Sequence, residues 1–533
     1  MIARTGLAAS GGQVAIATLM SRATGFLRTV LLAAVLGVGA VADAYNGANV
    51  FPNMVYSLLL GGVLSSVVVP ILARSRLRSR AIDDEFVQRF LNVSVVVALL
   101  VTAAMVAVAP WLADFFVGAG AQRDLTRLWA YCFLPQVFFY AIAALVTAVL
   151  NVRASFGAPS WAPLANNLIV IVTVGIFVAL PGPTVLSPSS ISPMQVLVLG
   201  AGTTVGIVGQ AGWCLVILRR TGFRWRWRVR VLPYTMRPIR TGARLAGWVI
   251  VYVIASQIGV VVVTHVAFDR ASVSTYTYAD LLIALPYGVV AVSILTVLTP
   301  RLANAVSLGR LGHIRAELRL GGRYLLALLI PIAGALAVLA PTASVLVFGG
   351  RVDATDASLI GQAVAASAFG LPALAIVMLQ LRVCYCADET RTPALINVLM
   401  VAVKILVIFI GVAVIPAVPT AVLLCVSGSL SYVVGALAGH FALRRRYGLL
   451  GFRRVAEAAA RSGTVTAVAA LTAVAVMMGI CQFSFDTTGF AGRILLASAG
   501  ATVGVAVFTY LLRIIRVPEI SRVMDVCRSA IRR

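Results

Sequence analysis

The stretch Gly12 to Val38, GQVAIATLMSRATGFLRTVLLAAVLGV, is an apolar run that contains two arginines, Arg22 and Arg28. About 20 consecutive apolar residues cross the hydrocarbon core of a bilayer. A charge at the bilayer centre costs at least about 2.5–3.5 kcal/mol. Because arginine stays charged and fits carboxylate or phosphate oxygens, the run predicts a membrane helix that faces an anion-handling cavity. The alternative is that one or both arginines lie near a helix end and reach the lipid headgroups.

The composition of the chain is that of an integral membrane protein. Of its 533 residues, 61% are hydrophobic and 11% are charged, and the mean hydropathy is +1.01. Soluble domains carry about 25% charged residues, so a soluble globule is excluded. The first apolar run is too long for a cleaved signal peptide and no A-x-A-like site follows it, so we expect a retained helix.

Apolar stretches of membrane-spanning length recur along the chain and predict an all-α integral membrane protein with fourteen transmembrane helices. The expected spans are 12–37, 45–73, 88–113, 128–151, 159–181, 193–218, 245–267, 276–300, 324–348, 358–386, 393–415, 420–443, 462–481 and 494–516. Arginines concentrate in the segments that follow even-numbered spans, whereas aspartates concentrate in those that follow odd-numbered spans. Cytoplasmic loops are enriched in basic residues, so both termini are predicted to be cytoplasmic.

The net charge of +26 follows from this topology and is poor support for nucleic-acid binding. The segment Arg219 to Arg230, RRTGFRWRWRVR, does interleave aromatic and cationic residues as a base-stacking strand does. Its position between two spans favours a different interpretation, in which Trp225 and Trp227 lie at the membrane interface and the arginines bind anionic phospholipids. We therefore expect no nucleic-acid partner.

The sequence carries no pattern typical of an enzyme. Its seven cysteines are scattered, its three histidines are isolated, and no P-loop, nucleophile elbow or pair of acid and base carboxylates is present in the sequence. We predict no catalytic residue, no metal and no cofactor.

An internal repeat divides the chain. The number of residues from Asp43 to Asp280 equals the number from Pro135 to Pro372. In the repeat, spans 2 and 4 therefore correspond to spans 8 and 10. Two pseudo-symmetric six-helix bundles of the same topology, followed by two extra helices, explain this spacing. The predicted parts are an N-terminal bundle at 1–218, a basic cytoplasmic linker at 219–244, a C-terminal bundle at 245–443, and spans 13 and 14 with a basic tail at 444–533.

Prolines lie inside the four repeated spans. Each removes a backbone donor, which is tolerated where neighbouring helices or cavity water satisfy the freed carbonyl. A static kink explains any one of them equally well, but their matching positions in two halves favour hinges. The hinge candidates are Pro52, Pro135, Pro286 and Pro372.

Several motifs resemble the MurJ (MviN) proteins, lipid II flippases of the multidrug/oligosaccharidyl-lipid/polysaccharide exporter superfamily. They are Ser21-Arg22-x-x-Gly25-Phe26-x-Arg28, Ala42-Asp43-Ala44, Pro52-Asn53, Val69-Pro70-x-Leu72-Ala73, Leu150-Asn151-x-Arg153 through Asn166-Asn167, Tyr278-Ala279-Asp280, Leu285-Pro286-x-Gly288-Val289, Thr299-Pro300-x-Leu302 and Arg382-x-x-Tyr385 through Thr390-Arg391-Thr392-Pro393. Lys404 is the single lysine of the sequence, and this arginine-rich usage resembles that of actinobacterial members.

The resemblance implies a flippase that moves lipid II, an undecaprenyl-pyrophosphate-linked disaccharide-pentapeptide, across the bacterial cytoplasmic membrane by alternating access. Arg22 and Arg28 would bind the phosphates, with Asn53 as a further substrate contact. Asp43 would occupy the outer end of the cavity and pair with an arginine when the outer gate closes. The polyprenyl tail would lie along spans 13 and 14, and cell-wall synthesis proteins are implied partners.

Two other functions stay open at this point. One is export of another polyprenyl-linked glycan or of an amphiphilic drug, although an exporter of cations would use acidic cavity residues. The other is a non-transporting scaffold for wall synthesis, which has no use for charges at membrane depth.

The chain departs from the family pattern where two cavity arginines align with Tyr56 and Leu281. Arg382 and Lys404 are candidate replacements, and Arg382 has the alternative of a simple paired cation near the end of span 10. Lys404 and Asp280 are also candidates for gating, with Lys404 in the place of the bound sodium that the resemblance implies. In that role Lys404 would contact acceptors such as Ser427 or Ser431, and transport would not need sodium.

Overall fold

The structure is a computed structural model that describes residues 2–58, 80–152, 157–183, 185–223, 225–227, 237–348, 352–482, 490–515 and 518–520. Every regular element in these ranges is helical. The α-helices are α1 Ile2–Leu36, α2 Ala40–Ser57, α3 Arg80–Phe116, α4 Ala121–Phe133, α5 Gln136–Val152, α6 Ala162–Ala179, α7 Pro193–Arg220, α8 Arg237–Asp269, α9 Val273–Pro286, α10 Val292–Ser307, α11 Leu311–Val347, α12 Ala354–Ser367, α13 Gly370–Cys386, α14 Arg391–Val414, α15 Thr420–Tyr447, α16 Arg453–Gln482 and α17 Phe490–Ile515. A 3₁₀ turn at Ala158–Trp161 precedes α6, and a π-helical segment at Tyr287–Ala291 joins α9 to α10.

The helices account for thirteen of the predicted spans. In the described ranges, 12 helices are long and apolar enough to cross a membrane, and α12 with α13 forms one further span bent by 52°. The remaining expected span, 45–73, is described only as far as residue 58. The apolar lengths therefore predicted the spans well, while the count of fourteen and the cytoplasmic placement of both termini stay predictions.

The chain forms two compact units, Met1–Ser274 and Thr275–Arg533. Helix α8, which the repeat assigned to the second bundle, falls in the first unit. The four-part division drawn from the sequence stays a prediction, and residues 224 and 228–236 of its linker lie outside the described residues.

In the first unit, the buried aromatic residues gather around the start of α2. Tyr45 is 2% exposed and makes edge-on ring contacts with Trp129 and Phe133 of α4, at centroid distances of 5.4 and 5.3 Å. Leu32 and Leu36 of α1 join the same cluster. Aromatic pairs in this geometry add about 0.5–1.5 kcal/mol to the free energy of burial, so this packing fixes α1 beside α2 and α4.

In the second unit, the core lies between α10, α11 and α13. Leu295, Leu298 and Leu302 recur on one face of α10 at helical spacing and are buried. Close approach of α11 to its neighbours depends on Gly321, where an added Cβ would lie 2.6 Å from Leu298 Cδ1.

Three of the four hinge candidates lie at interruptions of regular helix. Pro135 stands in the break between α4 and α5, Pro286 ends α9 directly before the π segment, and Pro372 follows the 52° bend between α12 and α13 by a few residues. Pro52 lies inside α2, which continues through it. Proline explains such interruptions because it removes a helical hydrogen bond. Whether these positions move stays a prediction.

Candidate functional site

Arg22 and Arg28 lie in the apolar part of α1, as the sequence predicted, and both side chains are half-buried. The Nε atom of each is buried without a hydrogen-bond partner among the described residues. A buried donor that lacks a partner costs roughly 1–3 kcal/mol. Two guanidinium groups at membrane depth with unused donors therefore form a site that an anion would complete.

A neighbouring helix holds the α1 segment between the two arginines. Asn167 of α6 donates from Nδ2 to the backbone oxygen of Ser21 at 2.9 Å and to Thr24 Oγ1 at 3.1 Å. Gly25 permits this approach, since a Cβ there would lie 3.3 Å from Asn167 Nδ2. Asn167 thus fixes the turn of α1 that carries Arg22 and directly precedes the turn that carries Arg28.

A polar cluster lies next to Arg28 in the first unit. The charge of Arg28 interacts with the hydroxyl groups of Tyr45 and Tyr140. Tyr140 donates to Asn53 Oδ1 at 3.4 Å, and its ring contacts that of Tyr56 in a tilted arrangement with a centroid distance of 4.4 Å. The structure therefore brings the predicted residues Arg28 and Asn53 to the same cluster through Tyr140, a residue that the sequence analysis did not single out.

Asp43 is fully buried at the start of α2, and its partners belong to the first turn of α9. Its Oδ1 accepts hydrogen bonds from the Ser274 backbone nitrogen at 2.7 Å and from Ser274 Oγ at 2.5 Å, while Val273 adds a backbone hydrogen bond to the carboxylate. A carboxylate at this position satisfies free backbone donors and complements the positive end of the helix dipole. An arginine partner was expected, but in the described structure Asp43 acts as a helix cap.

Arg382 makes a defined contact in the second unit. Its Nη1 donates to Thr299 Oγ1 at 2.8 Å, which joins α13 to α10 one residue before Pro300. The side chain is half-buried. This hydrogen bond matches the alternative of a paired cation in part, and the role of Arg382 as a substrate contact stays a prediction.

Asp280 and Lys404 lie near each other in the second unit. The Lys404 ammonium donates to Tyr276 Oη at 3.5 Å, and the charges of Lys404 and Asp280 interact electrostatically. The described hydrogen bonds of Lys404 do not include Ser427 or Ser431, whose hydroxyls donate to Leu424 O and Gly428 O of their own helix. The hypothesis that Lys404 replaces a bound cation stays a prediction.

Spans 13 and 14 line an apolar cavity of about 230 Å³ together with α11. Its walls are mostly small or apolar side chains, with Gly334 and Val338 from α11, Ala473 from α16, and Phe508 from α17, and Thr466 of α16 is the polar member of the lining. A cavity of this chemistry suits hydrocarbon rather than a polar headgroup.

The described part of the basic linker is attached to α3. Trp225 Nε1 donates to Asn92 Oδ1 at 2.6 Å, and Asn92 Nδ2 donates to the Arg226 backbone oxygen at 3.2 Å. Trp227 is 58% exposed. Trp227 thus fits the predicted interfacial position, whereas Trp225 is held by the protein.

Comparison with known proteins identifies a family that matches most of the chain. Residues 32–500 match the family described as lipid II flippase MurJ. The chain belongs to this family. The match covers most of the chain and includes Asp43, Asn53, Asp280, Arg382 and Lys404, although it begins after Arg22 and Arg28.

Individual members of the family cover similar lengths. A protein of Burkholderia cenocepacia named lipid II flippase MurJ is 26% identical over 496 residues, which are 89% of each chain. A probable lipid II flippase MurJ of Rhizobium meliloti is 28% identical over 405 residues, 73% of this chain and 72% of its own. The protein is accordingly a multi-pass protein of the bacterial cytoplasmic membrane.

Solved structures share the fold. A lipid II flippase MurJ in an inward closed conformation matches with a TM-score of 0.72 at 20% identity, covering 94% of this chain and 98% of its own. An inward-facing multidrug resistance MATE family transporter of the MOP superfamily matches with a TM-score of 0.63 at 14% identity, covering 82% and 99%. At these identities the likeness concerns the fold alone.

Proposed function

We propose that the protein is a lipid II flippase that moves the lipid-linked peptidoglycan precursor from the inner to the outer leaflet of the cytoplasmic membrane. The observation that carries this proposal is the family match over residues 32–500. The geometry supports it because α1 presents two guanidinium groups with unused donors at membrane depth, as a pyrophosphate-bearing cargo requires. No catalytic step is proposed, and the chain acts as a transporter.

Each site residue has a role that follows from the chemistry of its side chain. Arg22 and Arg28 bind the pyrophosphate, and Asn53 contacts the headgroup beside them. Arg382 is a further cation for the same cargo in the second unit. The polyprenyl tail follows the cavity of α11, α16 and α17, because its lining is almost entirely apolar. With fourteen spans and both termini in the cytoplasm, the basic linker contacts anionic phospholipid at the inner face of the membrane. Wall-synthesis enzymes receive the product.

The decisive experiment is depletion of the protein followed by measurement of lipid II in each leaflet. We expect lipid II to accumulate on the inner leaflet, because its headgroup is too polar to cross unaided. Purified protein in liposomes should then move lipid II to the opposite leaflet. Unchanged leaflet distribution on depletion, with wall synthesis impaired, would instead identify a scaffold. Movement of another polyprenyl-linked glycan in preference to lipid II would identify a different cargo.

A further inference from the structure

Asp280, Tyr276 and Lys404 present both signs of charge on one wall of the second unit. Tyr276 and Asp280 are four residues apart on α9 and therefore share a face of that helix. Lys404 reaches them from the middle of α14. The Asp280 side chain is exposed and the Lys404 side chain is half-buried, so a ligand can reach both.

The two charges are near each other without being joined. Among the described residues they form no ion pair within 4.0 Å, although they interact electrostatically. The hydrogen bond from Lys404 to Tyr276 is long, at 3.5 Å. An ammonium has three donors and a carboxylate has two acceptor oxygens, so both groups keep capacity for a further partner. Each charge at membrane depth costs free energy until it is compensated.

A ligand that compensates both groups must itself carry both signs. A simple anion is repelled by Asp280, and a simple cation is repelled by Lys404. A zwitterion can pair its ammonium with the carboxylate and its carboxylate with the ammonium. The Tyr276 hydroxyl, which can donate or accept, contacts the Lys404 ammonium and suits the amide or carboxylate of such a ligand.

We propose that Asp280, Tyr276 and Lys404 form a binding site for a zwitterionic peptide group, with Asp280 on its ammonium and Lys404 on its carboxylate. This inference rests on the proposed function, since the pentapeptide of lipid II supplies such a group through a diamino acid and a free C terminus. The site thereby reads the peptide part of the cargo, separately from the arginines that bind its phosphates.

The test uses full-length protein in liposomes and three forms of lipid II: unmodified, acetylated on the side-chain amine, and amidated on the terminal carboxylate. In the parent protein each modification should lower transport by about tenfold, as expected for the loss of one hydrogen-bonded charge contact. Asp280→Asn should lower transport of the unmodified form and be insensitive to acetylation while remaining sensitive to amidation. Lys404→Met should show the opposite pattern.

This crossed pattern separates binding from a structural role. A variant that is merely misfolded lowers transport of all three forms in the same proportion, and the parent protein alone still tests the inference if either variant fails to fold. Equal transport of all three forms by the parent would overturn the inference while leaving the flippase function intact. Uniform loss in a Lys404→Met protein that keeps the thermal stability of the parent would overturn it in favour of a replaced cation. Failure of the parent to move unmodified lipid II would instead refute the proposed function.

Discussion

At the scale of single residues, Arg28 gives the sharpest test, because its charge interacts with Tyr45 and Tyr140 and its own Nε donor is unsatisfied in the described structure. We expect Arg28→Ala to abolish complementation of a depleted strain while the protein still reaches the membrane. Loss of charge-assisted contacts of about 1.5–3 kcal/mol corresponds to roughly a tenfold to hundredfold loss of transport. Arg28→Lys should retain part of the activity at best, since lysine lacks the bidentate fork.

The matched control is Arg310→Ala, which removes an exposed arginine from the turn before α11. Transport by this variant should equal that of the parent. Full activity of Arg28→Ala would remove Arg28 from the site.

Asp43 offers a second test at this scale, because its capping role and a charge role predict different outcomes. Asp43→Ala should lower the free energy of unfolding by about 0.5–2 kcal/mol, the usual effect of losing a helix cap. Asp43→Asn should retain most of that stability, since its remaining oxygen can accept from Ser274 as Oδ1 does. Thermal unfolding in detergent measures both. A normal melting temperature for Asp43→Ala would contradict the cap.

The charged residues could be predicted from the sequence because a charge inside an apolar run is costly and therefore conspicuous. Arg22, Arg28 and Lys404 were found in this way. Their partners could not be predicted. Tyr140 and Ser274 are common residue types in membrane helices, and only the folded arrangement places them beside Arg28 and Asp43. The position of Tyr276, one helical turn before Asp280, gave a weak indication in the sequence that the two residues share a helix face.

At the scale of elements, the attachment of α1 to α6 depends on one side chain. We expect Asn167→Leu, which keeps the approximate size and removes both hydrogen bonds, to increase amide hydrogen exchange in the Ser21–Gly25 turn. Substrate binding should weaken as well, because the turn positions both guanidinium groups. Hydrogen exchange by mass spectrometry, with lipid II binding measured in parallel, checks this expectation.

Asn166→Leu is the control on the neighbouring position, where the side chain lies against Gly206 of α7 rather than against α1. Its α1 exchange should match the parent. Unchanged exchange in Asn167→Leu would show that packing alone holds α1.

Span lengths were predictable because apolar length alone decides whether a helix crosses the bilayer. Only the prolines indicated where the spans are interrupted. Pro135 and Pro372 marked the positions of two breaks, but neither the 52° angle of the second break nor the π form of the segment after Pro286 has a signature in the sequence.

At the scale of the whole molecule, the predicted topology assigns the excess of arginine to one membrane face rather than to a ligand. We expect replacement of Arg224, Arg226 and Arg228 by glutamine to reduce the thermal stabilisation that added phosphatidylglycerol gives the protein, by about 1 kcal/mol per arginine at the surface. Arg224 and Arg228 lie outside the described residues, so this expectation rests on the sequence and on the position of Arg226. Transport should stay measurable.

The control replaces Arg123, Arg127 and Arg270, which follow odd-numbered spans, by glutamine. Its response to phosphatidylglycerol should match the parent. Complete loss of transport in the linker variant, with normal expression, would make the linker part of the transport site.

The π segment Tyr287–Ala291 also sets the rotational phase of its span. A π turn holds one residue more than an α turn, so the residues above it and below it follow the helical repeat with an offset. Winding the same residues as a continuous α-helix would rotate one half against the other by about 100°, the angle per residue of a 3.6-residue turn. Leu295 and Leu298 could then stay in the core only if Tyr276 and Asp280 turned away from Lys404. The extra residue therefore allows one span to pack Leu295 and Leu298 in the core after the π segment and to present Asp280 toward Lys404 before it.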